Sequence, residues 1–164
     1  MELIIRTATT ADIPTIHALA EEIWWPAYRG VISDEQIAFM LSEMYSEMAL
    51  AEQFDEGVSF LLAIRNEIPV GFAGFSETDP SASLYKLHKL YVLQSEHGKG
   101  TGKALVQEVM KRCKETGGKI LELNVNRKNP SYGFYQRIGF EVYKEVDIPY
   151  HQYVLNDYVL RKAL

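Results

Sequence analysis

Leu87-His88-Lys89-Leu90-Tyr91-Val92-Leu93-Gln94-Ser95-Glu96-His97-Gly98-Lys99-Gly100-Thr101-Gly102-Lys103-Ala104-Leu105 opens as a strand, passes through a short polar turn and enters a helix. Gly98, Gly100 and Gly102 stand where that helix must begin. Alternating glycines let backbone N–H groups approach a ligand that a Cβ would hold off. The first N–H groups of a helix have no internal partner, and the helix dipole places partial positive charge there. The segment is therefore suited to seat a phosphate or pyrophosphate. A Walker loop would need G-x-x-x-x-G-K-[ST], but His97 holds its first glycine position and Ala104 follows Gly102-Lys103. A Rossmann G-x-G-x-x-G would need its third glycine at Lys103 or Leu105. A glycine-rich turn without a ligand stays open beside a phosphate seat of another kind.

The chain around this segment has 164 residues, 47% of them hydrophobic, and a formal net charge of −5. That length suits one domain with a real core, spanning residues 1–164. The absence of a basic run argues against nucleic acid, whose binding rests on phosphate neutralisation. An acidic surface mildly favours a cationic substrate. No apolar run approaches the ~18–20 residues of a membrane span. Met1-Glu2-Leu3-Ile4-Ile5-Arg6 lacks the layout of a signal peptide. Cys113 is the single cysteine, which leaves no disulfide frame and no cysteine metal site. The expected setting is cytoplasmic, without membrane or metal.

Upstream, residues 3–6 read as a strand, and Thr9-Thr10-Ala11-Asp12 as the cap of a helix with Pro14 in its first turn. Ile13, Ile16, His17, Ala20, Ile23 and Trp24 recur at helical spacing. The patch Trp24-Trp25-Pro26-Ala27-Tyr28 is either a helix end packed on the core or a substrate wall. Ser33 caps a second helix, and a further helical piece covers about 47–54. Glu43, Glu47, Glu52, Asp55 and Glu56 read as a solvated face, with a second reading in which one of them attracts an amine substrate. Residues 58–65 and 70–76 read as an antiparallel hairpin, in which Gly71 and Gly74 mark close packing or a bulge.

Residues 84–93 form the central strand. A strict period of two puts Lys86, His88, Leu90 and Val92 on one face, and Tyr85, Leu87, Lys89, Tyr91 and Leu93 on the other. A helix over 102–116 follows, then a strand over 119–125 expected to run parallel to the central one. Asn129 and Pro130 start a helix that Gly139 ends. Residues 140–146 and 153–160 close the chain as an antiparallel pair, with Pro149-Tyr150-His151-Gln152 between them.

Two stretches together carry a family resemblance. His97-Gly98-Lys99-Gly100-Thr101-Gly102 resembles the acyl-CoA loop [QR]-x-x-G-x-[GA] of the GCN5-related N-acetyltransferases (GNAT), with His97 as the departure. Asn129-Pro130-Ser131-Tyr132-Gly133-Phe134-Tyr135-Gln136-Arg137-Ile138-Gly139-Phe140 resembles that family's segment N-x-x-A-x-x-F-Y-x-x-x-G-F, with Tyr132 in place of a small residue. The two fall in the family's order, joined by one helix and one strand. The resemblance implies an α/β (α+β) fold, a mixed central sheet of about six to seven strands with helices on both faces.

The resemblance also implies acetyl-CoA as cofactor, in a V-shaped gap beside the central strand. Amides of Gly98, Lys99, Gly100, Thr101, Gly102 and Lys103, next to His97, would take the pyrophosphate. Leu90, Tyr91 and Val92 would meet the pantetheine arm, with the Leu90 N–H as oxyanion donor. Asn129, Tyr132 and Tyr135 would complete the cofactor site. Tyr135 matches the general acid, since a neutral phenol (pKa ~10) can protonate a thiolate (thiol pKa ~8.5). The family's strand glutamate is replaced by Lys86, which leaves His88 or a water chain as base. Trp24, Trp25, Tyr28, His88 and Tyr150 are the candidate acceptor-binding residues. The expected acceptor is a primary amine of a small molecule or peptide. The helix pair, aromatic patch and Lys-Leu-Tyr-Val look most like the bacterial polyamine (spermidine/spermine) branch. A homodimer is compatible with this reading, and the sequence does not fix it. A non-catalytic acyl-CoA sensor on the same scaffold is the alternative.

Overall fold

The computed structural model describes residues 2–164, so that Met1 of the N-terminal stretch lies outside them. Seven strands form one mixed sheet: β1 (Leu3–Thr7), β2 (Ser59–Arg65), β3 (Ile68–Asp79), β4 (Leu84–Val92), β5 (Ile120–Asn126), β6 (Glu141–Tyr150) and β7 (Tyr153–Ala163). Their spatial order is β1-β2-β3-β4-β5-β7-β6. The β4–β5 pair is parallel and the other neighbours are antiparallel. Five helices, α1 (Ile13–Tyr28), α2 (Asp34–Tyr45), α3 (Glu47–Asp55), α4 (Thr101–Glu115) and α5 (Ser131–Arg137), complete the fold.

Each sheet face carries its own core. Leu105, Val106, Val109 and Cys113 recur at helical spacing, so α4 buries one stripe against Leu61, Ala63, Leu87 and Leu121. On the opposite face, Ile16, Ala20, Ile23 and Trp24 of α1 and Ile37 and Leu41 of α2 meet Phe60, Leu62 and Phe72. Full burial of a side chain such as Leu105 contributes about 1.5–3 kcal/mol.

Local signals set the helix starts. Thr9 and Asp12 form a reciprocal capping box, while Ser33 and Ser46 cap α2 and α3. The helix α1 runs on through Pro26 to Tyr28, so the aromatic patch belongs to a helix end rather than a loop. The β2–β3 turn places Asn66 and Glu67 at φ 54° and 66°, the positive pair of a tight two-residue hairpin. Both closing strands are longer than their hydrophobic runs: β6 reaches Tyr150, and a two-residue turn at His151-Gln152 leads into β7.

One irregularity governs the centre of the sheet. Gly74 faces Lys89 whereas Phe75 faces Leu87, so β4 carries an extra residue, His88. The bulge shifts the period of two. Tyr85 and Leu87 pack on the α4 face, and so do Leu90 and Val92, while Lys89 and Tyr91 turn to the α1 face. The face assignment made from strict alternation is thus corrected beyond His88. A Cβ on Gly71 would come within 2.8 Å of the Tyr91 carbonyl oxygen, and one on Gly74 would crowd Phe60 at 3.1 Å. The lysine stem of Lys89 lies beside Gly74 for the same reason, with Cδ 3.5 Å from where that Cβ would be. No helix among the described residues is long and apolar enough to cross a membrane.

Candidate active site

The parallel pair at the sheet centre comes apart. Leu84, Tyr85 and Lys86 face Ile120, Leu121 and Glu122, and the pairing stops there. Beyond that point β4 stays with β3, and β5 stays with β7 as far as Asn126. The amide of Leu93 donates to Val70 O on β3 at 2.9 Å. In an antiparallel ladder the hydrogen-bonding side alternates, so the amides of Leu90 and Val92 point away from β3 and into the gap. A cleft of about 360 Å3 occupies this gap and continues towards α1 and α2.

The turn between β4 and α4 presents donors. Gly98 and Gly100 take φ values of 82° and 81°, which explains glycine at both. The amides of His97 and Lys99 are already engaged, each donating at 3.1 Å, to Gln94 O and Glu96 O. Those of Gly98, Gly100, Thr101, Gly102 and Lys103 have no protein acceptor among the described residues. The expectation that every amide from Gly98 to Lys103 is available is therefore corrected at Lys99. Five free amides at a helix start can hold an anion.

Glu96 holds this turn in place. It is 4% exposed and accepts from Thr101 Oγ1 at 2.7 Å and Arg65 Nε at 3.0 Å, with Lys99 Nζ at 3.6 Å. These donors, Thr101 foremost, hold its carboxyl below the usual carboxylate range. Phe134 of α5 lies against Gly102, where a Cβ would meet its ring tip at 3.4 Å.

Tyr135 lines the cleft from α5, its ring edge-on to Phe140 at 5.7 Å. Burial pushes its hydroxyl well above the ordinary phenol range, and the nearby Tyr28 adds to this. No group among the described residues hydrogen-bonds that hydroxyl. Asn129 also lines the cleft; its Oδ1 accepts from Ser131 N at 2.9 Å, and so caps the turn into α5. Tyr28 and Tyr91 join α1 to β4 by a hydroxyl–hydroxyl bond of 2.9 Å. Burial raises both phenols.

His88 is exposed and bonds Ser76 Oγ through Nε2 at 2.7 Å. Partial desolvation, then Lys86 and Lys89, lower its pKa to about 4, so the ring is neutral near pH 7. Lys89 is 8% exposed, and burial lowers its pKa to about 8. Its Nζ lies 4.4 Å from the centre of the Tyr45 ring. Asp157 of β7, also 8% exposed, lines the cleft with its carboxyl raised by burial, against the pull of Asn124, Lys86 and Arg127.

The structure thus brings Trp24, Tyr28, His88, Leu90, Tyr91, Asn129 and Tyr135 to one cleft. Val92 and the turn residues from His97 to Lys103 lie outside this lining, and so do three side chains expected in the site, Trp25, Tyr132 and Tyr150. Trp25 faces elsewhere under the Arg29 guanidinium, 5.3 Å from its ring centre. Tyr132 lies tilted against Tyr158, ring centres 4.7 Å apart, and accepts from Gln136 Nε2. Tyr150 packs against Phe39 and His151. Conversely, Lys89, Asn124, Asp157 and the Glu96–Arg65 pair escaped the sequence reading. Lys89 was assigned to the wrong face by the unseen bulge, and Asp157 had no motif around it. No cluster of three or more His, Cys, Asp or Glu suited to a metal occurs among the described residues.

Residues 28–148 match the family described as "Acetyltransferase (GNAT) domain". The chain is 30% identical over 148 residues to the spermidine N(1)-acetyltransferase of Thermoplasma acidophilum, covering 87% of this chain and 90% of the relative. It is 27% identical to an uncharacterized N-acetyltransferase of Mycobacterium tuberculosis, over 93% of this chain and 98% of the relative. Its fold superposes with a TM-score of 0.86 on the crystal structure of the PaiA N-acetyltransferase of Thermoplasma acidophilum in complex with coenzyme A, at 26% identity and 100% coverage of both chains.

Proposed function

Because the chain belongs to the GNAT acetyltransferase family, we propose that, as a single catalytic domain, it transfers an acetyl group from acetyl-CoA to a primary amine of a small molecule or peptide. The observation that carries this reading is the pairing of five unpartnered amides at the start of α4 with the open β4 edge at Leu90 and Val92. The residues present fit the cofactor. Gly98, Gly100, Thr101, Gly102 and Lys103 would hold its pyrophosphate, Leu90 and Val92 its pantetheine arm, and Asn129 would border that arm. Acetyl-CoA supplies an activated thioester carbonyl.

The chain's own groups would then act as follows. The Leu90 N–H would donate to the carbonyl oxygen as negative charge develops there. Tyr135, kept protonated by burial, stands as the proton donor for the leaving sulfur. His88, neutral near pH 7, can accept a proton from the amine directly or through water. In the overall exchange an N–C bond forms, the C–S bond breaks, and one amine proton ends on the sulfur.

The test is release of free coenzyme A from acetyl-CoA across an amine panel. Turnover with at least one primary amine is the expected result. Tight cofactor binding with no turnover for any amine would favour an acyl-CoA sensor instead.

A further inference from the structure

Besides its tyrosines, the cleft is lined by four ionisable residues: Lys86, His88, Lys89 and Asp157. His88 is neutral near pH 7, so two ammonium groups face one carboxylate. Asp157 is moreover close enough to Lys86 and Arg127 for both to stabilise its charge. Lys89 is the anomaly. It is more than nine-tenths buried, yet it has no hydrogen bond and no carboxylate among the described residues. The Tyr45 ring face meets its charge. Buried lysines are rarely left without an anion. The Trp24 ring, its centre 5.4 Å from that of the same Tyr45 ring, carries a buried N–H that meets no acceptor in good hydrogen-bond geometry among the described residues. Met40, Met44, Ile148 and Leu155 add apolar wall to the cleft.

Resting on the acetyltransferase reading above, we propose that the acceptor is an amine that also bears a carboxylate, an amino acid or related amino carboxylic acid, whose carboxylate pairs with Lys89 in this cleft. Lys86 adds to the same field. A polyamine has the opposite complementarity, because a second ammonium would enter beside two lysines. The apolar wall suits an acceptor with a hydrophobic side chain.

The experiment compares matched pairs: apolar amino acids, and the amines left when their carboxylate is removed, with spermidine as a third arm. Acetyl-CoA consumption is followed for the full-length chain. The expected kcat/KM is at least tenfold higher for the amino acid of each pair, with spermidine poorer than either. Lys89→Met should lower kcat/KM for amino acids at least tenfold, mainly through KM, and lower it much less for the matched amines. Lys89→Arg should restore most of the preference, and Lys86→Gln should weaken it independently. Equal or better turnover of the carboxylate-free amines or of spermidine by the unmodified chain would overturn the inference and leave the acetyltransferase reading standing. No turnover in any arm would remove both.

Discussion

Glu96 Oε1 accepts from Arg65 Nε at 3.0 Å, which ties the turn before α4 to the end of β2. The same oxygen accepts from Thr101 Oγ1, so one buried carboxylate fixes both sides of the glycine turn. Hydrogen bonds to charged groups contribute roughly 1.5–3 kcal/mol each. Glu96→Gln should therefore cost ~1–3 kcal/mol in chemical denaturation and weaken coenzyme A binding by loosening the turn. The native carboxyl has a lowered pKa, so its contribution is fully present above the unfolded value and is lost as pH falls through the lower folded value. The gap between wild type and variant should thus close in acid. Unchanged affinity in a coenzyme A titration would remove Glu96 from that positioning role.

Gly100 has open space around its missing Cβ, but a φ of 81°. Gly100→Ala should cost about 1–2 kcal/mol of backbone strain. Gly100→Glu should go further and abolish acetyl-CoA binding, by placing a carboxylate among the free amides. Retained affinity in Gly100→Glu would show that the anion is held elsewhere.

Tyr135→Phe removes the one polar atom of a cleft-lining side chain and leaves its packing on Phe140 intact. We expect kcat to fall by about 10²-fold or more, the usual contribution of a positioned acid, with cofactor affinity nearly unchanged. Pre-steady-state acetyl transfer measures the step directly, and a normal rate would rule out the acid role.

His88 has a pKa lowered to about 4, so as a base it is already deprotonated at pH 6–8. If it accepts the amine proton, the acidic limb of the rate profile lies near that value and not near the ordinary imidazole range. His88→Gln should remove this limb. A profile identical to wild type would point to water as the acceptor.

Lys89 carries a buried ammonium whose pKa is lowered from 10.5 to about 8. A base with a lowered folded pKa destabilises the fold while both states are protonated, and this cost is relieved as pH rises from the folded towards the unfolded value. Lys89→Met should therefore stabilise the chain at pH 7 by up to ~3 kcal/mol, less whatever the Tyr45 contact returns, and by less at pH 10. Equal stability at both pH values would contradict the buried-charge account. A gain in stability joined to a loss of activity would mark a residue kept for binding.

Local chemistry made much of this protein legible from its sequence. The Thr9 and Ser33 caps, the apolar stripe of α4 and the positions of all seven strands follow from propensity and period, which need only near neighbours. The glycines at 98 and 100 pointed to the turn for the same reason: a positive φ is a demand the backbone makes locally. Tertiary structure decided what depends on strands distant in sequence. The bulge at His88 exists only as a mismatch between β3 and β4, and it turned Lys89 from the expected face into the cleft. The parting of β4 from β5 after Lys86, the burial of Asp157 beside it, and the placing of Trp25 and Tyr150 outside the cleft are likewise relations between elements. Neither periodicity nor composition contains them, because register and desolvation are set only when the sheet and its two helical layers close.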